Sequence, residues 1–188
     1  MSNVWLKDLF RYEGTNCHQL KIKLKYIFFV PGFTYTFFFR KCQNSRFRLM
    51  YHVLLRLTSY ITHIQIPPAT QIGEGLYIGH FGSIIVNPNA KIGKNFCISA
   101  GTLVGNAQGK KKGVPTIGNN VFMGRNSIVI GNITIGNDVL IAPGAFVNFD
   151  VPANSIVIGN PGLIILRDSS PTEKYIVYSV EDYSSKQK

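Results

Sequence analysis

The stretch from Gln65 to Gly93 reads QIPPATQIGEGLYIGHFGSIIVNPNAKIG, and an aliphatic side chain returns in it every six residues. The period slips by two residues after Ile78 and breaks for longer after Val104, and each time it resumes. The aliphatic positions that keep this six-residue period are Ile66, Ile72, Ile78, Val86, Ile92, Ile98, Val104, Ile117, Met123, Val129, Ile135, Ile141 and Val147. A period of six residues fits neither an amphipathic helix nor a simple alternating strand.

Short strands joined by tight corners explain this period. Each hexad supplies one strand with its aliphatic residue inward, and glycine often follows, as in IGEGLY and IGNNVF. Three strands close a triangular coil, and coils stack because no coil buries its apolar face alone. We therefore expect a mainly β chain in which residues 64–166 form a parallel β-helix of four to five coils.

The composition is compatible with one folded unit of this kind. The 188 residues are 45% hydrophobic and 15% charged, which excludes wholesale disorder. The three cysteines show no paired spacing, so a disulfide framework or zinc site is not expected and a reducing compartment fits. The chain begins without signal-peptide order and has no apolar run of about 20 residues. We expect a cytoplasmic protein, with the inner membrane face as the alternative location.

Basic charge is concentrated in residues 1–63, which we expect to form a small helical cap. Helices are predicted over Val4–Arg11 and Ser45–Ile61, the second from an apolar stripe at helical spacing. Residues 21–41, KIKLKYIFFVPGFTYTFFFRK, interleave basic and aromatic side chains. They fit packing within the cap or an oligomer, peripheral contact with an anionic membrane, or nucleic acid. No nucleic-acid motif accompanies them, so nucleic acid is not expected. Residues 167–188 are predicted to be a polar tail, partly disordered beyond Tyr178.

The repeats resemble the hexapeptide-repeat acyltransferases, and residues 65–93 carry the most specific part of the likeness. The branch that it is most similar to is serine-acetyltransferase-like and includes capsular and lipopolysaccharide O-acetyltransferases; the RYEG and VPGFTYTFFFR segments at 11–14 and 30–40 favour the latter. The resemblance implies a left-handed β-helix, a homotrimer with active sites between subunits, acetyl-CoA as co-substrate, and no metal.

The two interruptions of the period are where chemistry is expected. His80 lies in the first and is the only histidine inside the repeats, and an imidazole suits proton removal from an alcohol. The resemblance makes His80 the catalytic base and Gln65 its orienting partner, where the serine enzymes have an aspartate. It also places Gly79 and Gly113-Val114 where those enzymes hold the amino acid's charged ends, which favours an uncharged sugar hydroxyl. Asn87 and Asn89 are candidate sugar ligands, or simply corner residues.

The second interruption, VGNAQGKKKGVPTI at 104–117, is rich in glycine and lysine. Lys110 and Lys111 suit a phosphate of the substrates, and a solvated loop tip is the alternative. By resemblance, the coenzyme A groove is lined by Gly105, Gly124, Arg125, Ala142, Gly144, Asn160 and Pro161.

These residues lead to one main functional hypothesis. It is an O-acetyltransferase in which the acceptor hydroxyl, deprotonated by His80, attacks acetyl-CoA directly. The acceptor is then a sugar of a surface polysaccharide or of its lipid-linked precursor. The alternatives are a serine O-acetyltransferase and a non-catalytic scaffold at the membrane surface.

Overall fold

The structure, a computed structural model, describes residues 4–185. Within them the helices are Val4–Glu13 (α1), Leu20–Phe29 (α2), Pro31–Asn44 (α3), Arg48–Thr62 (α4) and Val180–Ser185 (α5), and a 3-10 helix covers Gly14–His18. The strands are Ile64–Gln65 (β1), Gln71–Ile72 (β2), Tyr77–Ile78 (β3), Ile84–Val86 (β4), Lys91–Ile92 (β5), Cys97–Ile98 (β6), Leu103–Gly105 (β7), Thr116–Ile117 (β8), Val121–Met123 (β9), Ile128–Ile130 (β10), Thr134–Ile135 (β11), Val139–Ile141 (β12), Phe146–Val147 (β13), Ser155–Ile158 (β14) and Leu163–Leu166 (β15).

The strands form three parallel sheets, which are the faces of a prism. Face A contains β1, β4, β7, β10 and β13, and face B contains β2, β5, β8 and β11. Face C contains β3, β6, β9, β12 and β14, and β15 closes it by pairing antiparallel with β14. From β1 to β14, consecutive strands lie on different faces, as a coil of three short strands requires. The predicted solenoid is confirmed.

The inward side chains are the ones that the period predicts. All thirteen aliphatic residues of the hexads are buried, and the most exposed of them, Ile72, is only 8% exposed. They form one continuous core, which Phe39 of α3 and Leu55 of α4 extend into the cap. The cap and the solenoid therefore share a hydrophobic core.

The three faces differ in what they point outward. In register, face A presents Gln65, Ile85, Leu103, Ile128 and Phe146. Face B presents the polar ladder Gln71, Lys91, Thr116 and Thr134. Face C begins with Tyr77, Cys97 and Phe122, and other parts of the chain cover it: Arg11 of α1 bonds to Cys97, and the ring of Tyr175 lies 4.3 Å from that of Phe122. Face A thus presents an apolar ladder outward, and so does the top of face C, where Leu163 and Leu166 of β15 are exposed.

Polar groups of the cap close the lower end of the solenoid. The first coil has no coil beneath it, so its backbone groups need other partners. The carboxylate of Asp8 accepts hydrogen bonds from the N–H groups of Gly75 and Leu76, both 2.8 Å. The guanidinium of Arg40 donates to the carbonyls of Ile72 and Gly73 at 2.8 and 2.6 Å. Asp8 and Arg40 also form a buried ion pair at 2.8 Å.

The hydroxyls of two tyrosines, the buried Tyr35 and the half-buried Tyr12, complete this closure. The Tyr35 hydroxyl donates to the carbonyl of Ile66 and accepts from its N–H, and Tyr12 does the same at Ile78. Burial raises the pKa of Tyr35 to about 12 and that of Tyr12 well above its usual value. Both hydroxyls therefore keep the proton that they donate.

Both predicted helices are present, and the cap contains two more. The first is α1 and the second is α4, which begins three residues later than expected. The Pro31-Gly32 pair separates two further helices that the pattern did not predict, α2 and α3, with Pro31 at the start of α3.

The apolar stripe of α4 points away from the core. Leu49, Val53 and Ile61 are 82%, 56% and 76% exposed, while Leu55, Thr58 and Thr62 are buried. The short side chains of the two threonines allow α4 to lie close to β1 and α3.

Within the predicted polar tail, the segment that contains α5 packs on the cap. Val180 and Tyr183 of α5 are buried, and the ring of Tyr183 packs at 5.2 Å from that of Phe10 in α1. Asn95 of the solenoid accepts a hydrogen bond from the N–H of Val180. The expectation of disorder beyond Tyr178 fails because this segment buries apolar side chains; residues 186–188 lie outside the described part.

Among residues 4–185, no helix combines the length and the apolar character needed to cross a bilayer.

Candidate active site

One edge of the prism carries most of the residues that were singled out. We call it the C–A edge, because the chain passes there from face C to face A. Backbone hydrogen bonds stack its corners: Gly101 donates to Gly82 (3.1 Å), Asn126 to Ala100 (3.1 Å) and Gly144 to Arg125 (2.8 Å). From foot to top, the C–A edge holds His80, Gly124, Arg125, Ala142 and Gly144, and the turn with Asn160 and Pro161 lies above them.

His80 lies at the foot of this column, in the loop between β3 and β4. The backbone has positive φ at Gly82 and Ser83, which reflects the two-residue slip in the period. The imidazole is exposed, and among residues 4–185 it has no hydrogen-bond partner. The imidazole is therefore accessible to a substrate that approaches this corner from solvent.

Gln65 does not orient His80 in this structure. It points outward from β1 at the foot of face A, opposite Ile85, and no hydrogen bond joins it to the imidazole. Its link to the loop of His80 is indirect: that loop leads into β4, and β4 pairs with β1, which contains Gln65.

The upper corners of the C–A edge leave room for an extended ligand. A side chain at Gly124 would meet the backbone nitrogen of Pro143 at 2.6 Å, so two coils approach closely there. Gly144, with φ of 72°, has no atom within 4 Å of where its Cβ would stand. Arg125 and Asn160 are exposed beside this open strip. The strip is therefore open to solvent beside Gly144, and Arg125 is an exposed cation along it.

The remaining predicted residues lie on the A–B edge, across face A from His80. Asn87 builds a corner there, since its side-chain oxygen accepts from the N–H of Asn89 at 3.0 Å. Gly105 ends β7, and the lysine-rich loop that follows is a small hairpin closed by Ala107 and Gly113.

Only one of the two candidate lysines of this loop is engaged. Lys111 pairs with Asp150 at 2.7 Å, and this contact lowers the pKa of the exposed Asp150 carboxyl. Lys110 is exposed at the tip. A single chain therefore does not bring the two groups of predicted residues together.

A groove between α4 and β1 is a feature that the repeat pattern did not reveal. Its volume is about 520 Å³, and its lining includes His52, Arg56, His63 and Gln65. The carbonyl of His63 accepts the N–H of Ile84 at 3.2 Å, so the groove adjoins the strand that leaves the His80 loop. The four-residue spacing of Arg48, His52 and Arg56 on α4 was the available signal, since it places basic side chains along one flank of the helix.

The described residues offer no competing nucleophile or metal centre. Cys97 is buried, and burial raises the pKa of its thiol, so it is poorly suited to carry an acyl group. The backbone N–H of Gly101 on the C–A edge donates to the carbonyl of Gly82, so it is not free to stabilise an oxyanion. Residues 4–185 contain no group of three His, Cys, Asp or Glu side chains placed to hold a metal.

Comparison with known proteins gives a consistent family. The model of the bacterial transferase hexapeptide family (six repeats) matches residues 115–148. Serine acetyltransferase of Helicobacter pylori strain 26695 is 36% identical over 126 residues, which cover 66% of this chain and 74% of that protein.

Solved structures agree in fold. Serine acetyltransferase of Brucella abortus S19 in complex with coenzyme A matches with a TM-score of 0.68 and 25% identity, over 89% of this chain and 67% of that one. The Neisseria gonorrhoeae enzyme in complex with serine matches with a TM-score of 0.62 and 25% identity, over 85% and 66%. These likenesses support the expected left-handed β-helix.

The expected sugar acceptor is wrong. Other matched proteins are 32% to 38% identical and are also named serine acetyltransferase, which was the alternative hypothesis. The sugar hypothesis relied on the departures at Gly79 and Gly113-Val114 and on the cap segments 11–14 and 30–40, whereas the match extends over 126 residues. With it, the glycan partner and the role in polysaccharide biosynthesis are withdrawn. The chain belongs to the serine acetyltransferase family of hexapeptide-repeat transferases.

Proposed function

We propose that the protein is an acetyl-CoA-dependent serine O-acetyltransferase. The observation that carries this is the C–A edge, where His80 and the residues expected to hold coenzyme A occupy successive corners. The hydroxyl of serine attacks the thioester carbon while His80 takes its proton, so a C–O bond forms as the C–S bond breaks. The imidazolium then returns the proton to the departing thiolate of coenzyme A.

Acetyl-CoA is the substrate that this edge suits. Its pantetheine arm would lie along the open strip beside Gly144, and Arg125 would meet its phosphates. The groove between α4 and β1 would hold the amino acid. Arg56 offers positive charge for the carboxylate, which positions 113–114 lack in this chain, and His52 and His63 offer hydrogen-bonding groups beside it.

The assay for this function is coenzyme A release from acetyl-CoA with L-serine as acceptor, with O-acetylserine identified by mass spectrometry. We expect turnover in the wild type. In the Arg56→Ala variant, we expect the KM for serine to rise about 10- to 100-fold with little change in kcat. The reason is the loss of one charge-assisted hydrogen bond to the carboxylate, which contributes about 1.5–3 kcal/mol.

Arg46→Ala is the matched control, because Arg46 is exposed just before α4 and does not line the groove. An unchanged KM in Arg56→Ala would remove Arg56 from the acceptor site. Turnover with L-homoserine or L-threonine but not with L-serine would overturn the acceptor and keep the reaction. No coenzyme A binding by calorimetry would overturn the reaction itself.

The same proposal includes a homotrimer with active sites between subunits. Face A lies between the C–A and A–B edges and presents Ile85, Leu103, Ile128 and Phe146 outward. Packing this ladder against a second copy would bury it and bring the Lys110 loop of one chain toward His80 of the next. The outward stripe of α4, which packs at β1, would extend the same interface.

Ile128→Lys is expected to convert the trimer to monomers, because a desolvated ammonium in each interface costs several kcal/mol. Light scattering after size exclusion should show three times the chain mass of 21.0 kDa for the wild type and the single mass for the variant. Thr134→Lys, on polar face B, is the control and should keep the wild-type mass. A monomeric wild type, or a variant that stays trimeric, would contradict this arrangement.

A further inference from the structure

One face of α2 is exposed and is at once apolar and basic. Along it, Leu20, Phe28 and Phe29 are 71%, 67% and 80% exposed, and Leu24 is 47% exposed. Lys21 and Lys25 lie on the same side of the helix, one turn apart, and are also exposed. The opposite side of α2 packs on the cap through Tyr26 and Ile27. We call these six exposed residues the α2 face.

Nothing acidic in the cap balances the lysines of this face. Residues 4–63 contain only two carboxylates, Asp8 and Glu13. Asp8 is buried against Arg40, and the carboxylate of Glu13 accepts a hydrogen bond from the hydroxyl of Tyr26. Among residues 4–185 neither Lys21 nor Lys25 forms an ion pair. The α2 face therefore combines large exposed rings with uncompensated positive charge.

We propose that the α2 face docks on an anionic lipid bilayer. Rings and leucines enter the boundary between headgroups and acyl chains, while the lysine stems extend to the phosphates. A second copy of the chain fits this face less well, because two such faces in contact would set lysines against lysines in a dehydrated interface. The inference is independent of the acetyl-transfer reaction.

The structure also limits which part of residues 21–41 can contact the bilayer. Of the basic aromatic stretch 21–41, the part in α3 faces inward, since Phe33, Tyr35 and Phe39 are buried in the cores. Contact is therefore limited to α2, a helix of 10 residues. Such a short helix enters one leaflet shallowly, so we expect weak and reversible binding that weakens at high salt.

The test is co-flotation of the purified full chain with vesicles of phosphatidylcholine, with and without about 30 mol% phosphatidylglycerol. We expect binding to the anionic vesicles only. Lys21→Gln/Lys25→Gln should weaken it about 25-fold, since each lysine near an anionic surface contributes roughly a fivefold gain. Phe28→Ser/Phe29→Ser should weaken it at least about tenfold through lost apolar burial.

Two matched double variants test whether the effect depends on the α2 face or merely on the loss of two lysines or two apolar side chains. Lys91→Gln/Lys94→Gln removes two exposed lysines from the solenoid, and Leu163→Ser/Leu166→Ser removes two exposed leucines. Both should bind vesicles like the wild type. Equal loss in these controls, no preference for anionic vesicles, or undiminished binding by both α2 variants would overturn the proposal. So would α2 variants that lower the mass of the oligomer, because α2 would then be an interface between copies.

Discussion

Replacement of His80 by alanine is expected to lower kcat for acetyl transfer by about a thousandfold, within the range of 10²- to 10⁴-fold that a general base contributes. The effect should be large because the sequence has only four histidines and His80 is the one within the repeats. Among the described residues, the thiol of Cys97 in the solenoid is buried and cannot replace this chemistry by carrying an acyl group. Coenzyme A release with L-serine measures the loss.

Binding and folding should be unchanged in this variant, which separates a chemical role from a structural one. The imidazole has no hydrogen-bond partner within residues 4–185, so its removal breaks no internal contact. Calorimetric titration with coenzyme A and the unfolding temperature should match the wild type. His18→Ala is the control, since His18 stacks on Tyr183 far along the chain from the C–A edge. Activity above a tenth of the wild-type value in His80→Ala would exclude the mechanism.

Replacement of Asp8 by alanine is expected to cost about 3–5 kcal/mol of stability, because it leaves the buried guanidinium of Arg40 without its partner. It also removes the acceptor for the N–H groups of Gly75 and Leu76. Thermal unfolding should occur roughly 10 °C lower, from about 2–4 °C per kcal/mol in a chain of this size.

A double variant, Asp8→Leu/Arg40→Met, tests what the pair does. If the two charges only compensated each other, apolar replacements would restore stability. We expect no recovery, because the backbone groups of the first coil that Asp8 and Arg40 satisfy would remain without partners. Asp150→Ala breaks the exposed ion pair with Lys111 and should shift the transition by no more than about 2 °C. Full recovery in the double variant would refute the closing role.

The solenoid was predictable because each hexad repeats the same local rule. The rule places each of the thirteen aliphatic side chains in the core, and Val104, Val129 and Ile141 are indeed completely buried. The cap has no repeat, and its apolar stripe on α4 could not reveal which side would meet the core. That choice depends on close packing against β1, where Thr58 and Thr62 fit and longer side chains would not.

The site was predictable as a set of corners but not as an assembled pocket. Positions 18 residues apart stack on the same edge, so Gly124 and Ala142 could be placed together from spacing and are found there. Arg56 could not be found in this way, because its place beside Gln65 depends on how α4 crosses β1. The acceptor was misjudged because single departures such as Gly79 were given more weight than the whole repeat region.

The contact between α1 and α5 has a consequence for how the protein is made. The guanidinium of Arg11 bonds to the carbonyl of Tyr178, 167 positions later, and Phe10 packs on Tyr183. The ribosome synthesises α1 long before it synthesises α5. The repeats can stack coil by coil as they emerge, while the apolar side of α1 stays uncovered until α5 has been made. Chains that stop before Tyr178 should therefore have a complete solenoid and an exposed apolar surface on the cap, which chaperones and proteases recognise.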